Sequence, residues 1–359
     1  MGKIYPVIIV GGGPAGSSCA KALIDAGVDV LVLEKMRLPR HKCCSGILFG
    51  QAQELLRRYF GKLPPESAYC SPRVIHASNI LAWSEEKGPF VYEWELPMAG
   101  RSFTTSYLNV WRNKFDFWLL KESGAQIKDG LIFRDFSSSG DKIRVAVQSG
   151  VRRTELLCSY LVGADGASSA VRDIFDSSYK KRLNELSTYQ AYYTFSDLGN
   201  LEKSHWYVFL GLIGGPVATV HKKDDVLTLC VGSFEKKGSL KGLMKRFEDF
   251  LSSRFKVKLL EKQRSEGCLI NDMNLRGDFC LGGGRVFLVG DAAGFMYLNG
   301  EGISVAIDSG YRAGKAIAKG LKGKGEAWDL YRRETEDIRE QVKLCASKQT
   351  LIGRPEGTT

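Results

Sequence analysis

The 359-residue chain is 44% hydrophobic and 25% charged, the make-up of an ordinary globular protein. At ~150 residues per domain, its length suggests one large or two intermingled domains. Its net charge of +11 is uneven, with ten Lys and Arg against five Asp and Glu in residues 235–266. The longest uncharged apolar run, residues 206–220, contains three glycines and a proline and falls short of the ~18 apolar residues of a membrane-spanning helix. The nine cysteines include no C-x-x-C pair, so a zinc ribbon is unsupported and no metal is expected. Free thiols in a reducing cytoplasm are the simplest account.

The elements begin with strand, glycine turn, helix and strand over residues 5–10, 11–16, 17–26 and 28–33. Both strands are almost wholly apolar, as buried parallel strands are. Nothing in this start reads as a signal peptide. Residues 37–50 form an irregular loop rich in basic residues, Cys and Gly, followed by a helix over 51–59. Residues 70–98 read as two strands around a turn at Lys87-Gly88-Pro89. A helix covers 112–122, and strands cover 143–148 and 155–162. Residues 188–195, 205–212, 217–221 and 226–231 alternate as an antiparallel sheet. An amphipathic helix at 239–253 caps that sheet. A last parallel strand at 285–289 precedes a glycine turn, a helix over 303–321, and a charged helical tail that frays after Gly353.

Three stretches carry the chemistry. Gly11-x-Gly13-Pro14-Ala15-Gly16 lies between a strand and a helix, where glycines allow a tight turn and let the backbone approach a pyrophosphate at the helix N-terminus. Glu34, followed by Lys35, ends the second strand at the spacing of an acid that accepts from ribose hydroxyls. Leu161-Val-Gly-Ala-Asp165-Gly166 and Val286-Phe-Leu-Val-Gly290-Asp291-Ala-Ala-Gly294, the latter followed by Gly300-Glu301-Gly302-Ile303, are further strand-to-turn junctions. Each offers a carboxylate for a ribose or ribityl hydroxyl, and the second opens a helix toward a flavin carbonyl or pyrophosphate. In this order the three specify a Rossmann-type dinucleotide site. The carboxylate at 34 argues against a 2′-phosphate, and Gly282-Gly283-Gly284 precedes a strand, so no second nucleotide domain is expected.

These motifs resemble those of the large FAD superfamily that includes aromatic hydroxylases, halogenases and geranylgeranyl reductases, over roughly half the chain. The loop Pro39-Arg-His-Lys42-Cys-Cys44-Ser-Gly46 is similar to the Lys-x-Cys-Gly-Gly loop of the geranylgeranyl reductases. Tyr107-x-x-x-Trp-Arg112-x-x-Phe115-Asp116 resembles their arginine-headed helix, and Gly294 stands where aromatic hydroxylases usually have His. Three departures accompany the resemblance. Ser45 replaces a family glycine, the segment between Gly294 and Gly302 is one residue short and lacks the family's proline, and residues 216–221 lack the family's aromatic stretch.

The resemblance implies an α/β fold. A Rossmann-type FAD-binding domain would comprise residues 1–68, 100–175 and 268–320. An inserted antiparallel-sheet substrate domain would comprise 69–99 and 176–267, with a C-terminal helical segment at 321–359. By analogy Arg112 lies along the FAD, while Lys42, Cys44 and Gly46 lie near its ring, with Cys44 the candidate catalytic residue. Arg40, His41 and Lys42 are the neighbours expected to favour its thiolate. Cys43 reads either as a packing residue or as a partner in a vicinal redox pair. His205 and His221 are candidate acids or bases, and Tyr192, Tyr193, Trp206 and Tyr207 candidate cavity walls.

The implied activity is reduction of carbon–carbon double bonds in a hydrophobic, isoprenoid or lipid substrate. External NAD(P)H or reduced ferredoxin would supply electrons. An FAD monooxygenase and a flavin electron carrier without its own substrate are the competing readings. No nucleic-acid partner is expected. The basic surplus around Lys241, Lys245 and Arg246 reads either as a solvated face or as a peripheral contact with an anionic membrane.

Overall fold

The structure is a computed structural model describing residues 3–76, 81–84, 88–91, 106–182, 185–234, 240–271, 277–297 and 300–349. It is α/β, built on one mixed sheet, two further sheets and C-terminal helices. The central strand Ile4–Val10 pairs in parallel with Val30–Glu34 on one side and Arg152–Gly163 on the other. Val286–Leu288 extends the parallel row beyond Arg152–Gly163, and Gln126–Asp129 extends it beyond Val30–Glu34. Ile4–Val10, Val30–Glu34 and Val286–Leu288 are largely buried, which is why they read as continuous apolar runs. The turns after Val10, Glu34, Gly163 and Leu288 therefore line up along one carboxyl edge, where ligands of open parallel sheets bind.

Helix Pro14–Asp25 crosses helix Ile303–Leu321 at backbone distance. A Cβ on Gly310 would lie 2.1 Å from the Ala15 carbonyl oxygen, and one on Gly314 would lie 2.4 Å from that of Cys19. Only glycine permits this approach, which fixes the start of the first helix against the last parallel strand's turn.

A second sheet runs Lys258–Asn271, Glu185–Asp197, Val226–Ser233, Val217–Lys223, Trp206–Leu210, Leu81–Ser84 and Gly88–Val91. Helix Leu240–Phe255 covers one face of it through Leu243, Met244, Phe247 and Leu251, as the amphipathic pattern requires. Its other face meets the nucleotide-type domain. A small sheet of Ile47–Leu48, Ser106–Val110 and Tyr69–His76 joins the two.

Several expectations need correction. The 70–98 stretch is not one hairpin: Tyr69–His76 belongs to the small sheet, whereas Leu81–Ser84 and Gly88–Val91 extend the large antiparallel one. Residues 92–98 of that expectation lie outside the described residues, as does the fraying after Gly353. Strands Ile132–Ser139 and Lys258–Asn271 were not expected from the sequence. Both are largely exposed along their lengths, so their patterns lack the strong apolar face that marks a buried strand.

Candidate functional site

The glycine loop is shaped by contact with its neighbours. Gly11 has φ +108, and a Cβ there would lie 2.3 Å from the Ala164 oxygen; one on Gly16 would lie 2.0 Å from the Gly11 oxygen. Gly11 donates its N–H to the Leu33 oxygen at 2.8 Å. Helix Pro14–Asp25 starts with Gly13 as N-cap and Pro14 in its first turn, and no side chain among the described residues caps it. Its first N–H groups thus face the loop, with the positive end of the helix behind them.

Glu34 is 3% exposed. Its Oε2 accepts from the Gly12 N–H at 3.2 Å and from Arg40 Nε at 3.0 Å, and its Oε1 accepts from the Met36 N–H at 3.0 Å. Arg40 also donates Nη1 to Asp116 Oδ2 at 3.1 Å, and Asp116 receives Arg112 as a two-point pair at 2.8 and 2.9 Å. Burial pushes the Asp116 carboxyl up, but Arg112 and then Arg40 outweigh it and hold the group below its ordinary range. Glu34, Arg40, Asp116 and Arg112 form one ionic chain along the carboxyl edge. Arg40 and Asp116 were missed as site residues. The loop charge was visible in the sequence, but its pairing across 76 positions was not. Lys35 is exposed.

The two Gly-Asp turns differ. Asp165 is committed to structure: it accepts from Ser169 Oγ at 2.5 Å and from the Ala170 and Val171 N–H groups at 2.7 and 3.2 Å, anchoring helix Ala170–Phe175. Gly166, at φ +83, makes the turn that allows it. Among the described residues, the Asp291 side chain accepts only from its own backbone N–H. Burial pushes its carboxyl up, partly offset by Lys42 and Arg112. Gly302 lies beside it, with a Cβ position 3.3 Å from Asp291 Oδ1. Gly302 is the N-cap of helix Ile303–Leu321, whose first turn is capped by the buried Glu301 carboxylate accepting from the Ser304 N–H at 2.9 Å, and Gly300 has φ +79. Gly290, at φ +57, lets Ala15 and Ala306 close over the turn.

The Cys44 loop closes the other end. Gly46 has φ +68, and a Cβ there would lie 2.2 Å from the Val110 oxygen. The Val110 N–H donates to the Gly46 oxygen at 2.8 Å. Cys44 Sγ accepts from the Gly46 N–H at 3.4 Å and hydrogen-bonds with Arg112. The cation beside the Cys44 thiol is therefore Arg112; Arg40, expected there, is bound to Glu34 and Asp116 instead. Gln190 donates to the Cys44 oxygen at 3.3 Å from the facing sheet.

That sheet face resolves the remaining candidates. Tyr192 and Trp206 face the nucleotide-type domain: the Tyr192 hydroxyl donates to Glu266 at 3.1 Å, and Trp206 packs edge-on to Phe49. Tyr193 and Tyr207 pack on the opposite face with helix Leu240–Phe255. His205 pairs with Glu202. His221 is 2% exposed and its Nε2 lies 3.1 Å from the Ser45 oxygen, so that nitrogen carries the proton. Burial, then Lys223, pushes the ring down to about 3. His221 is a neutral pin on the loop and does not serve as its acid. Lys223, 1% exposed, likewise ties Asn109 Oδ1 at 2.9 Å and the Val110 oxygen at 2.6 Å.

The arrangement fits FAD. There are two glycine-headed helix starts, the first with no side-chain cap among the described residues, a carboxylate at the end of the second strand, and at Asp291 a carboxylate with no partner beyond its own N–H among the described residues. All lie along one sheet edge, and the glycine contacts leave no room there for other residues.

Comparisons agree with this reading. Residues 4–61 match the family model described as an FAD binding domain. The protein Mbar_A1602 of Methanosarcina barkeri is 27% identical over 350 residues, covering 96% of this chain and 82% of its own. A geranylgeranyl bacteriochlorophyll reductase-like protein of Thermoplasma acidophilum superposes with a TM-score of 0.76 at 18% identity, over 98% of this chain and 89% of that one. The p-nitrophenol 4-monooxygenase PnpA of Pseudomonas putida gives 0.74 at 17% identity, over 99% and 91%. The flavin-dependent halogenase CmlS gives 0.71 at 18% identity, over 96% of this chain but 64% of the halogenase, under two thirds of its length. Residues 4–61 are thus similar to an FAD binding domain, and the chain has a fold that a reductase-like protein, a monooxygenase and a halogenase share.

Proposed function

We propose that the protein is an FAD-dependent reductase that saturates carbon–carbon double bonds of a hydrophobic, isoprenoid or lipid substrate. The observation that carries this reading is the Cys44 loop. Its sequence resembles that of geranylgeranyl reductases, and it places a thiol against Arg112 beside the Asp291 turn. In this reading Gly11, Gly13, Pro14, Ala15, Gly16 and Glu34 hold the adenosine and pyrophosphate half of FAD. Lys42, Arg112, Gly290, Asp291, Gly300, Gly302 and Ile303 serve its ribityl and flavin half, while the exposed Lys35 flanks Glu34 at the adenosine end. Asp165 and Gly166 act by shaping the turn between them, and Cys44 and Gly46 border the ring. Bound flavin supplies the redox chemistry; the protein supplies placement and charge.

His221 and Lys223 hold the Cys44 loop still, which keeps Cys44 and the Gly46 N–H in register with Arg112. Tyr192, Trp206 and Gln190 provide the opposing wall. Electrons come from NAD(P)H docking transiently or from reduced ferredoxin, since one nucleotide fingerprint is present.

Anaerobic reduction of the purified protein, followed by reoxidation with polyprenyl lipids and separately with oxygen, tests the reading. Fast reoxidation by one lipid without oxygen supports a reductase. Reoxidation by oxygen with hydroxylation of an added substrate makes it a monooxygenase, and indifference to every organic acceptor makes it an electron carrier.

A further inference from the structure

Cys43 and Cys268 stand 225 positions apart, one on the loop beside the proposed flavin site and one on strand Lys258–Asn271 of the facing sheet. Their thiols lie close enough to perturb each other's titration. Cys268 Sγ also lies 3.0 Å from Thr188 Oγ1 and 4.0 Å from the Cys43 oxygen. Cys43 Sγ lies 4.0 Å from both Gln190 Oε1 and the Glu266 oxygen. The pair is asymmetric. The Cys43 thiol and a hydrogen bond from Thr188, with Lys42 nearby, hold the Cys268 thiol below its ordinary range against the effect of burial. The Cys268 thiol and burial hold Cys43 above its own. Cys43 is buried, whereas Cys268 is half-buried. A low-lying thiolate beside a protonated thiol is the usual arrangement of an attacking and a resolving cysteine. Cys43, Cys44, Cys230 and Cys268 are free thiols.

We propose that Cys43 and Cys268 form a reversible dithiol–disulfide couple that locks the Cys44 loop to the substrate-side sheet. The oxidant is a small disulfide. The Cys268 thiolate attacks one of its sulfurs, forming a mixed disulfide and expelling one thiolate. Cys43 then gives up its proton, attacks the Cys268 sulfur and expels the second. The two protein thiols lose two electrons, and the small disulfide is reduced to two thiols. With Cys268 Sγ already 4.0 Å from the Cys43 backbone oxygen, rotation of the two side chains toward each other is what the ~2.05 Å bond requires. The couple acts on loop position and does not depend on which substrate the flavin serves.

The test uses the full-length, FAD-loaded protein equilibrated with graded mixtures of reduced and oxidised glutathione, quenched with acid and mapped by mass spectrometry without reduction. The expected result is one cross-link joining the Cys43-Cys44 peptide to the Cys268 peptide, formed and reversed with the glutathione ratio. It should be retained in Cys44→Ser and lost in Cys43→Ser, where glutathione stays on Cys268. Brief alkylation at neutral pH should label Cys268 at least tenfold faster than Cys43. A vicinal Cys43-Cys44 bond, a cross-link that needs denaturant to form, or free thiols at every ratio in the folded protein would each overturn the proposal. Circular dichroism of the serine variants identifies any loss caused by misfolding, and the wild-type map stands independently of them.

Discussion

At the scale of single residues, the ionic chain from Glu34 to Arg112 changes what a substitution at 34 removes. Glu34→Ala deletes a charged acceptor and also frees Arg40 and the Gly12 N–H. FAD affinity should fall by about tenfold to a hundredfold, the equivalent of about 1.5–3 kcal/mol for hydrogen bonds to a charged group. Lys35→Ala, at an exposed side chain, should leave it within a factor of about two. Titration of apoprotein with FAD measures both, and equal constants for Glu34→Ala and wild type would remove this carboxylate from the site.

His221 gives a pH signature. Its folded form stays neutral down to about 3, whereas an exposed imidazole takes a proton near 6.5. Its contribution to stability is complete above 6.5 and is lost as pH falls toward 3. The slope there is about 1.4 kcal/mol per pH unit, with the unfolded chain binding the extra proton. His221→Gln, which can still donate to the Ser45 oxygen, should flatten that part of the curve when melting is followed from pH 7 to pH 4. An unchanged slope would mean that other groups carry the acid sensitivity.

At the scale of elements, the crossing of helices Pro14–Asp25 and Ile303–Leu321 couples the glycine loop to the last motif. Gly310→Ala places a Cβ 2.1 Å from a backbone oxygen that cannot rotate away. The helices must separate, at a cost of about 1–3 kcal/mol, as in other overpacked contacts. FAD binding should weaken with it, because the helix that presents Gly13 moves; Lys315→Ala, on the exposed side of the same helix, is the control. A melting temperature and an FAD affinity both equal to wild type would show that the crossing tolerates a methyl group.

The same helices show why the sequence was readable. The parallel strands and their glycine turns carry strong local signals, an apolar run and then a residue type that the backbone demands, so Gly11, Gly16 and Gly302 stand out without coordinates, whereas Gly46 stands out only through the resemblance of its loop. Asp165 was also found, but its use as a helix anchor depends on where Ser169 and the Ala170 N–H point, which spacing does not show. Arg40, Asp116, Gln190 and Cys268 were missed for one reason. Each owes its place to a partner on another element, and nothing in the residues around it indicates which one. Strand Lys258–Asn271 was missed because its mostly exposed pattern resembles that of a charged loop.

At the scale of the whole molecule, the remaining question is what the positive surplus meets. Among the described residues, the cations of residues 240–266 are not a uniform patch. Lys245 pairs with Asp249, Lys258 with Asp197 and Arg264 with Glu266, while Arg246 and Lys256 donate to the backbone oxygens of Ile213 and Ser253. The surface pairs are exposed, and exposed pairs contribute little to stability. Their carboxylates nonetheless cancel charge that would otherwise attract an anionic surface.

Among the described residues no helix is long and apolar enough to cross a membrane, so any attachment to lipid through these cations is electrostatic. A basic side chain close to an anionic leaflet contributes ~1 kcal/mol, and that contribution is screened within about 8 Å at physiological salt. With Lys241 and Arg254 exposed on helix Leu240–Phe255 and the neighbouring charges paired, binding to phosphatidylserine vesicles should be weak. It should be detectable at low salt, abolished by a few hundred millimolar salt and absent on neutral vesicles. Co-sedimentation with both vesicle types at both salt levels measures this, and Lys241→Glu with Arg254→Glu should remove what is seen at low salt. Protein left wholly in the supernatant on anionic vesicles at low salt would make the surplus a solvated face and leave the lipid substrate resting on the Cys44 loop alone.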